Sequence, residues 1–257
     1  MLGQWVARDT MAPVCHRRMK ENLVQGVLFD LDGTLLDIDI EAFIERYFTA
    51  LARAMEPLTS GPEALDHAMH ALNLSTHAMM LPHPGRTNQQ VFTAEFKAST
   101  SIDIEEHREV FERFYAEEFP LLGDGFGPVP GAREAIEGAM DLGLKVAVAT
   151  NPIFPLAAVR HRMAWAGVDD LPFDVVTSYE TMHACKPMAE YFLETAERIG
   201  VAPDRCLMVG DDATLDLPAA ATGMRTYYVG PDTDAGADLH GDLDLLARLL
   251  PRLTRDW

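Results

Sequence analysis

Cysteine is scarce in this 257-residue chain: Cys15, Cys185 and Cys206 are the only three, widely spaced and without a CxxC pair. That argues against a disulfide scaffold and favours a reducing compartment. Positive charge is also in short supply, with 21 Lys and Arg, only four of them lysines, against 40 Asp and Glu, for a net charge of −19. Such a surplus of acid disfavours nucleic acids and anionic membrane surfaces as partners. No apolar run approaches the roughly 18 residues of a membrane span. The first 22 residues hold no continuous apolar stretch of the signal-peptide kind. The expectation is a cytoplasmic protein with residues 1–22 as an N-terminal extension. Repeats and low-complexity segments are absent as well.

What is there is a hydrophobic fraction of 48%, enough to build a sizeable core, distributed in two distinct rhythms. Five short apolar runs read as buried strands: Val24–Asp30, Leu144–Thr150, Phe173–Thr177, Arg205–Gly210 and Arg225–Gly230. Helical periodicity separates the last four, at about Pro155–Ala166, Met188–Ile199 and Thr214–Ala221, with a further helix at Ala132–Leu142. Alternation of this kind predicts an α/β fold, a Rossmann-like parallel sheet with helices on both faces. About 90 residues interrupt it after the first strand. Ile40–Met55, Pro62–Leu72, Thr87–Ser99 and Ile104–Phe119 carry apolar residues at three- and four-residue spacing. The organisation expected is a core of residues 23–37 and 126–257, with an α-helical cap inserted at 38–125. The tail should end in a surface helix.

Ligands of parallel α/β sheets bind at the carboxyl ends of the strands. There the sequence gathers its unusual polar residues: Asp30 and Asp32 after the first strand, Thr150 and Asn151 after the second, Asp211, Asp212 and Asp216 after the fourth. The loop beyond the third strand leads to Lys186. Clustered carboxylates repel one another unless a cation joins them. Five Asp with no His or Cys among them favour a hard ion, Mg²⁺ over Zn²⁺. Thr150 and Asn151, on a strand-to-helix turn, can hold a phosphate with a hydroxyl and an N–H, and Lys186 adds positive charge. Two carboxylates two residues apart can then divide the work of phosphoryl transfer, one attacking phosphorus and the other moving protons.

The motifs DLDGT at Asp30–Thr34, Thr150 after an apolar strand, Lys186 before Pro187, and GDDATLD at Gly210–Asp216 stand in an order that resembles the haloacid dehalogenase superfamily. The likeness is to its phosphatase-type members with a helical cap after the first motif, and it runs from about residue 24 to 250. It implies Asp30 as nucleophile and Asp32 as general acid/base. Mg²⁺ would lie between Asp30, the backbone carbonyl of Asp32 and Asp211, with Asp212 or Asp216 orienting its waters or adding a contact. Thr150, Asn151 and Lys186 would hold the phosphoryl group. The activity implied is Mg²⁺-dependent hydrolysis of a small phosphorylated metabolite through an aspartyl phosphate.

Dehalogenases of the superfamily lack the second Asp, so Asp32 argues against them. Phosphonatase-type members depart at the same position and use a cap lysine, and Lys97 is the only lysine in this cap. A phosphomutase keeps both aspartates and is the runner-up; a non-catalytic binding module is the reading from another class. The cap carries no decodable specificity motif. Arg86, in the loop HPGRTNQQ, is the candidate for a second anionic group on the substrate, and is equally readable as a surface arginine. The assembly expected is a monomer or a homodimer.

Overall fold

The computed structural model describes residues 23–230 and 235–255, so the expected N-terminal extension lies outside the described residues. The chain begins with β1 (Gly26–Phe29) and β2 (Leu36–Asp37), then α1 (Ile40–Met55), α2 (Pro62–Met79), α3 (Asn88–Thr100) and α4 (Arg108–Arg113). It continues through β3 (Gly127–Pro128), α5 (Ala132–Asp141), β4 (Lys145–Val148), α6 (Leu156–Trp165), β5 (Val175–Val176) and α7 (Ala189–Ile199). β6 (Cys206–Gly210), β7 (Arg225–Tyr228), β8 (Leu239–His240) and α8 (Leu243–Leu253) complete it.

Six strands form one parallel sheet in the order β5-β4-β1-β6-β7-β8. β1 lies at its centre, and its four residues are all buried. Both faces are covered, which is why GVLF is apolar throughout rather than alternating. Val27 and Phe29 pack with Ile136, Val159 and Leu246 on one face; Leu28 packs with Tyr191 and Met208 on the other. The α/β reading and its parallel sheet are therefore what the chain adopts. α8 is more than a surface helix: Leu243, Leu246, Leu250 and Leu253 bury one side of it in the core.

The two-stranded pair β2–β3, antiparallel through Leu36↔Pro128 and Asp37↔Gly127, brackets the helical segment between them. Asp39 caps α1 by accepting the Ala42 N–H at 3.0 Å, and Thr87 and Gln90 form a reciprocal capping box on α3. Asn88 then ties α3 to the core, its side-chain amide donating to the Pro152 carbonyl at 2.9 Å.

Three helices differ from their sequence reading, the first being α2, which runs past the expected end at Leu72 to Met79. Ile104–Phe119 is not one helix: α4 starts at Arg108, widens to a π turn over Phe114–Glu118 and tightens to a 3₁₀ turn at Phe119–Gly123. Pro120 has no N–H to donate to the ladder, and Phe119 before it keeps helical φ/ψ as the turn tightens. Thr214–Ala221 is reduced to a 3₁₀ turn at Leu217–Thr222, because Asp212 Oδ1 captures the N–H groups of Thr214 and Leu215 in a local turn.

Candidate active site

β1, β4 and β6 end level with one another, Phe29 being in register with Val148 on one side and Val209 on the other. One more ladder bond on each side extends the alignment: Ala149 N–H to the Phe29 carbonyl at 2.6 Å, and Asp30 N–H to the Val209 carbonyl at 2.8 Å. Asp30, Thr150 and Asp211 thus emerge from neighbouring strands onto one edge. They line a cavity of about 300 Å³ together with Asp32, Asn151, Lys186, Asp212 and Asp216. α1 supplies an apolar roof of Ile40, Phe43 and Ile44, and Ile153, Phe154, Arg162 and Leu215 complete the wall.

Lys186 is the centre of the charge network. Its Nζ donates to Asp30 Oδ1 and to Asp216 Oδ1, each at 2.6 Å, and Lys186 and Asp216 are 2% and 1% exposed. Burial alone would lower the Lys186 pKa; Asp30 and Asp216 outweigh it and hold the ammonium protonated. The backbone N–H of Lys186 donates to Asn151 Oδ1 at 3.2 Å, so Asn151 braces the lysine loop against the turn after β4. That turn is itself fixed from below, the Thr150 carbonyl accepting from Thr177 Oγ1 at 2.7 Å and Tyr191 OH at 2.9 Å.

The donor set fits a divalent cation. Asp30, Asp211 and Asp216 each offer an oxygen within 4.8 Å of the others. Five carboxylates line the cavity against two cations, Lys186 and Arg162, an imbalance that a hard ion with oxygen ligands would relieve. Space has been kept for these carboxylates. Gly33 turns the chain after Asp32 with φ 87°, and a Cβ added there would fall on the Asp211 carboxylate; one added to Gly210 would fall on that of Asp216. Gly33→Ala should displace Asp211 and weaken Mg²⁺ affinity by about 10- to 100-fold, read by titrating Mg²⁺ against activity or melting temperature; unchanged affinity would show that Asp211 is not a ligand.

Asp211 also predicts a pH effect. Burial pushes its pKa up to about 6, with the Thr34 hydroxyl at 2.8 Å opposing and the nearby Asp216 charge adding to the rise. A carboxyl raised in the folded state binds its proton more tightly there than when unfolded. Metal-free protein should therefore gain stability as pH falls from about 7 to about 4, by about 3 kcal/mol from this group. Saturating Mg²⁺ should abolish the gain at the upper end of that range. Denaturant titrations in EDTA across these pH values, compared with Mg²⁺, would give wild type and Asp211→Asn the same slope if Asp211 were an ordinary surface acid, because Asp30 contributes to both.

The structure leaves one sequence candidate out and adds one that sequence reasoning missed. Arg86 is exposed and is not among the residues lining the cavity. Its loop is folded by His83, whose ring nitrogens lie 2.9 Å from the Met79 carbonyl and 3.2 Å from that of Arg86. The missed residue is Arg162, 2% exposed on α6, whose Nη1 donates to Asp32 Oδ2. A signal was available: Arg162 falls on the apolar stripe of its helix, three or four residues from Ala158, Val159, Trp165 and Ala166. Sequence reasoning had also left Asp212 and Asp216 open. Asp212 spends Oδ1 on its own turn, whereas Asp216 lies in the buried cluster with Asp30 and Asp211.

A family profile described as haloacid dehalogenase-like hydrolase matches residues 24–223. Hexitol phosphatase A of Escherichia coli K12 is 27% identical over 231 residues, which is 90% of this chain and 93% of that protein. N-acetylmuramic acid 6-phosphate phosphatase of Pseudomonas aeruginosa is 26% identical over 246 residues, covering 90% and 99%. Among solved structures, a HAD phosphatase from Thermococcus onnurineus superposes with a TM-score of 0.55 at 25% identity, covering 88% of this chain and 98% of that one. The fold is shared with YfnB of Bacillus subtilis, solved bound to magnesium, at a TM-score of 0.52, 21% identity, and coverage of 89% and 99%. A profile spanning all four strand-end motifs, on a sheet that brings them to one cavity, settles the family: the chain belongs to the haloacid dehalogenase-like hydrolases.

Proposed function

We propose that this protein is a Mg²⁺-dependent phosphatase that hydrolyses a small phosphate monoester through an aspartyl phosphate on Asp30. The observation that carries the reading is the convergence of Asp30, Asp32, Thr150, Lys186 and Asp211 on one cavity roofed by α1. Two relatives that each match nine-tenths of the chain are phosphatases, hexitol phosphatase A and N-acetylmuramic acid 6-phosphate phosphatase, in agreement with it.

Asp30, Asp211 and the backbone carbonyl of Asp32 would hold the Mg²⁺, with Asp216 beside them; bound there, the ion would neutralise charge on the phosphoryl oxygens and on Asp30. Lys186 fixes one oxygen of Asp30, and Thr150 and Asn151 would offer a hydroxyl and a backbone N–H to the phosphoryl oxygens. An Asp30 carboxylate oxygen bonds to phosphorus as the ester P–O bond breaks, and the departing oxygen takes a proton from Asp32. Asp32, now a carboxylate, removes a proton from water. The water oxygen bonds to phosphorus, the acyl-phosphate P–O bond breaks, and Asp30 is regenerated with free phosphate. The apolar roof would exclude bulk water from both steps. A cytoplasmic setting and a phosphorylated metabolite as substrate belong to the same reading. No helix among the described residues is long and apolar enough to cross a membrane.

The test is phosphate release from a broad panel of monoesters, with Mg²⁺ and with EDTA. Release that needs Mg²⁺ is the expected outcome, and the best monoester begins to name the substrate. Absence of release from every compound overturns the reading.

A further inference from the structure

We propose that Arg162 is the positioning residue for Asp32, holding in place through one oxygen the carboxylate that makes both proton transfers. This rests on the phosphatase reading above.

A guanidinium 2% exposed is costly unless an anion faces it, and Arg162 faces one. Its Nη1 donates to Asp32 Oδ2, while Nε and Nη2 have no partner. Asp32 mirrors this: Oδ2 is taken and Oδ1 has no partner, beside the cavity that both residues line. Among the described residues neither side chain has a competing hydrogen-bond partner, so each is oriented by the other. The plane of the guanidinium is set in turn by the Phe154 ring, 4.7 Å from its central carbon to the ring centroid. α6 packs on the sheet through Ala158, Val159 and Met163, so the clamp is anchored in the core rather than in the helical segment between β2 and β3.

The arrangement answers a need of the chemistry. Asp32 follows β1 on a loop, and an unheld carboxylate there has several rotamers to choose from. Proton transfer requires the carboxylate within hydrogen-bond reach of the leaving oxygen, then of the attacking water. A charge-assisted bond to Oδ2 restricts the carboxylate to a narrow arc beside the cavity, with Oδ1 buried behind it. The pair would be a structural ion pair if that were all it did, or an anchor for a carboxylate on the substrate if the free Nε–Nη2 edge were the working one.

The leaving group separates these roles. Alkyl phosphates need a proton on the departing oxygen; p-nitrophenyl phosphate does not. With Mg²⁺-loaded full-length protein, Arg162→Met should lower kcat on the best alkyl monoester about 100-fold. Nitrophenolate release in the first turnover should fall at least about tenfold less. The p-nitrophenyl progress curve should then open with a burst, because hydrolysis of the phosphoenzyme still needs Asp32 as base. Arg162→Lys should recover part of the alkyl activity and carries the same comparison if the Met variant does not fold. Equal losses on both substrates would overturn the proposal in favour of a structural pair. A KM increase confined to carboxylate-bearing monoesters would overturn it in favour of a substrate anchor. A wild-type protein inactive on every monoester removes the phosphatase reading and the proposal with it; an active wild type indifferent to Arg162→Met removes the proposal alone.

Discussion

Asp30→Asn is expected to stop Mg²⁺-dependent phosphate release, lowering kcat by about 10⁴-fold or more, while the fold survives. Asn keeps the shape of the side chain and an oxygen for the Lys186 ammonium, now 2.6 Å from Asp30 Oδ1. What it lacks is a carboxylate able to bond to phosphorus, and no neighbour replaces it. Asp211 accepts from Thr34, Asp216 is 1% exposed and bound to Lys186 and the Asp212 N–H, and Asp32 is engaged with Arg162. Because the cluster carries more carboxylates than cations, losing one charge should leave the metal-free melting temperature unchanged or higher. Steady-state phosphate release alongside a thermal melt in EDTA checks both parts. A variant within tenfold of wild type would place the nucleophile elsewhere.

The parts of this arrangement that were legible in the sequence are those governed by the strand ends. A parallel sheet aligns its carboxyl edges, so Asp30, Thr150 and Asp211 were grouped before any coordinate, and the register Phe29↔Val148 and Phe29↔Val209 is the physical basis of that grouping. Apolar periodicity likewise located α1, Ile40–Met55, to the residue. It does not say where a helix docks, and so Ile40, Phe43 and Ile44 could not be read as the cavity roof. Hydrophobic spacing misled twice where it drew continuous helix: the pitch changes at Phe114 and again at Phe119, and Asp212 turns the chain before Leu217. Arg86 was selected because an arginine in a Gly/Pro loop reads as exposed and available. Arg86 is exposed as its loop suggested but lies away from the cavity, whereas Arg162, which the sequence reading did not consider, is buried in its wall, since burial depends on which face meets the core and the apolar stripe around Arg162 is what pulls it in.

Lys186→Met should cost about 3–5 kcal/mol of stability in metal-free protein near pH 7.5, the largest stability effect expected of any single change in the cavity. The lysine is the one ammonium between Asp30 and Asp216, and without it two carboxylates face each other in a site that water hardly reaches. In wild type its pKa is held above the usual value, so the ammonium stays charged and its own titration adds no pH dependence between pH 5 and 9. The variant steepens a dependence that the buried acids already give the wild type. The freed carboxylates would bind protons more tightly folded than unfolded, and stability should climb as pH drops from about 7.5 towards 5.5. Lys186→Met combined with Asp216→Asn removes one stranded charge and should recover more than half of the loss. Urea titrations in EDTA at the two pH values measure all of this. A loss under about 1 kcal/mol that does not change with pH would mean the carboxylates are solvated, like an exposed pair, and that Lys186 is there for the phosphoryl group alone. The expected result has a further consequence for the proposed function: the lysine that would fix Asp30 for attack is then also what allows so many carboxylates to be folded into one cavity without a metal.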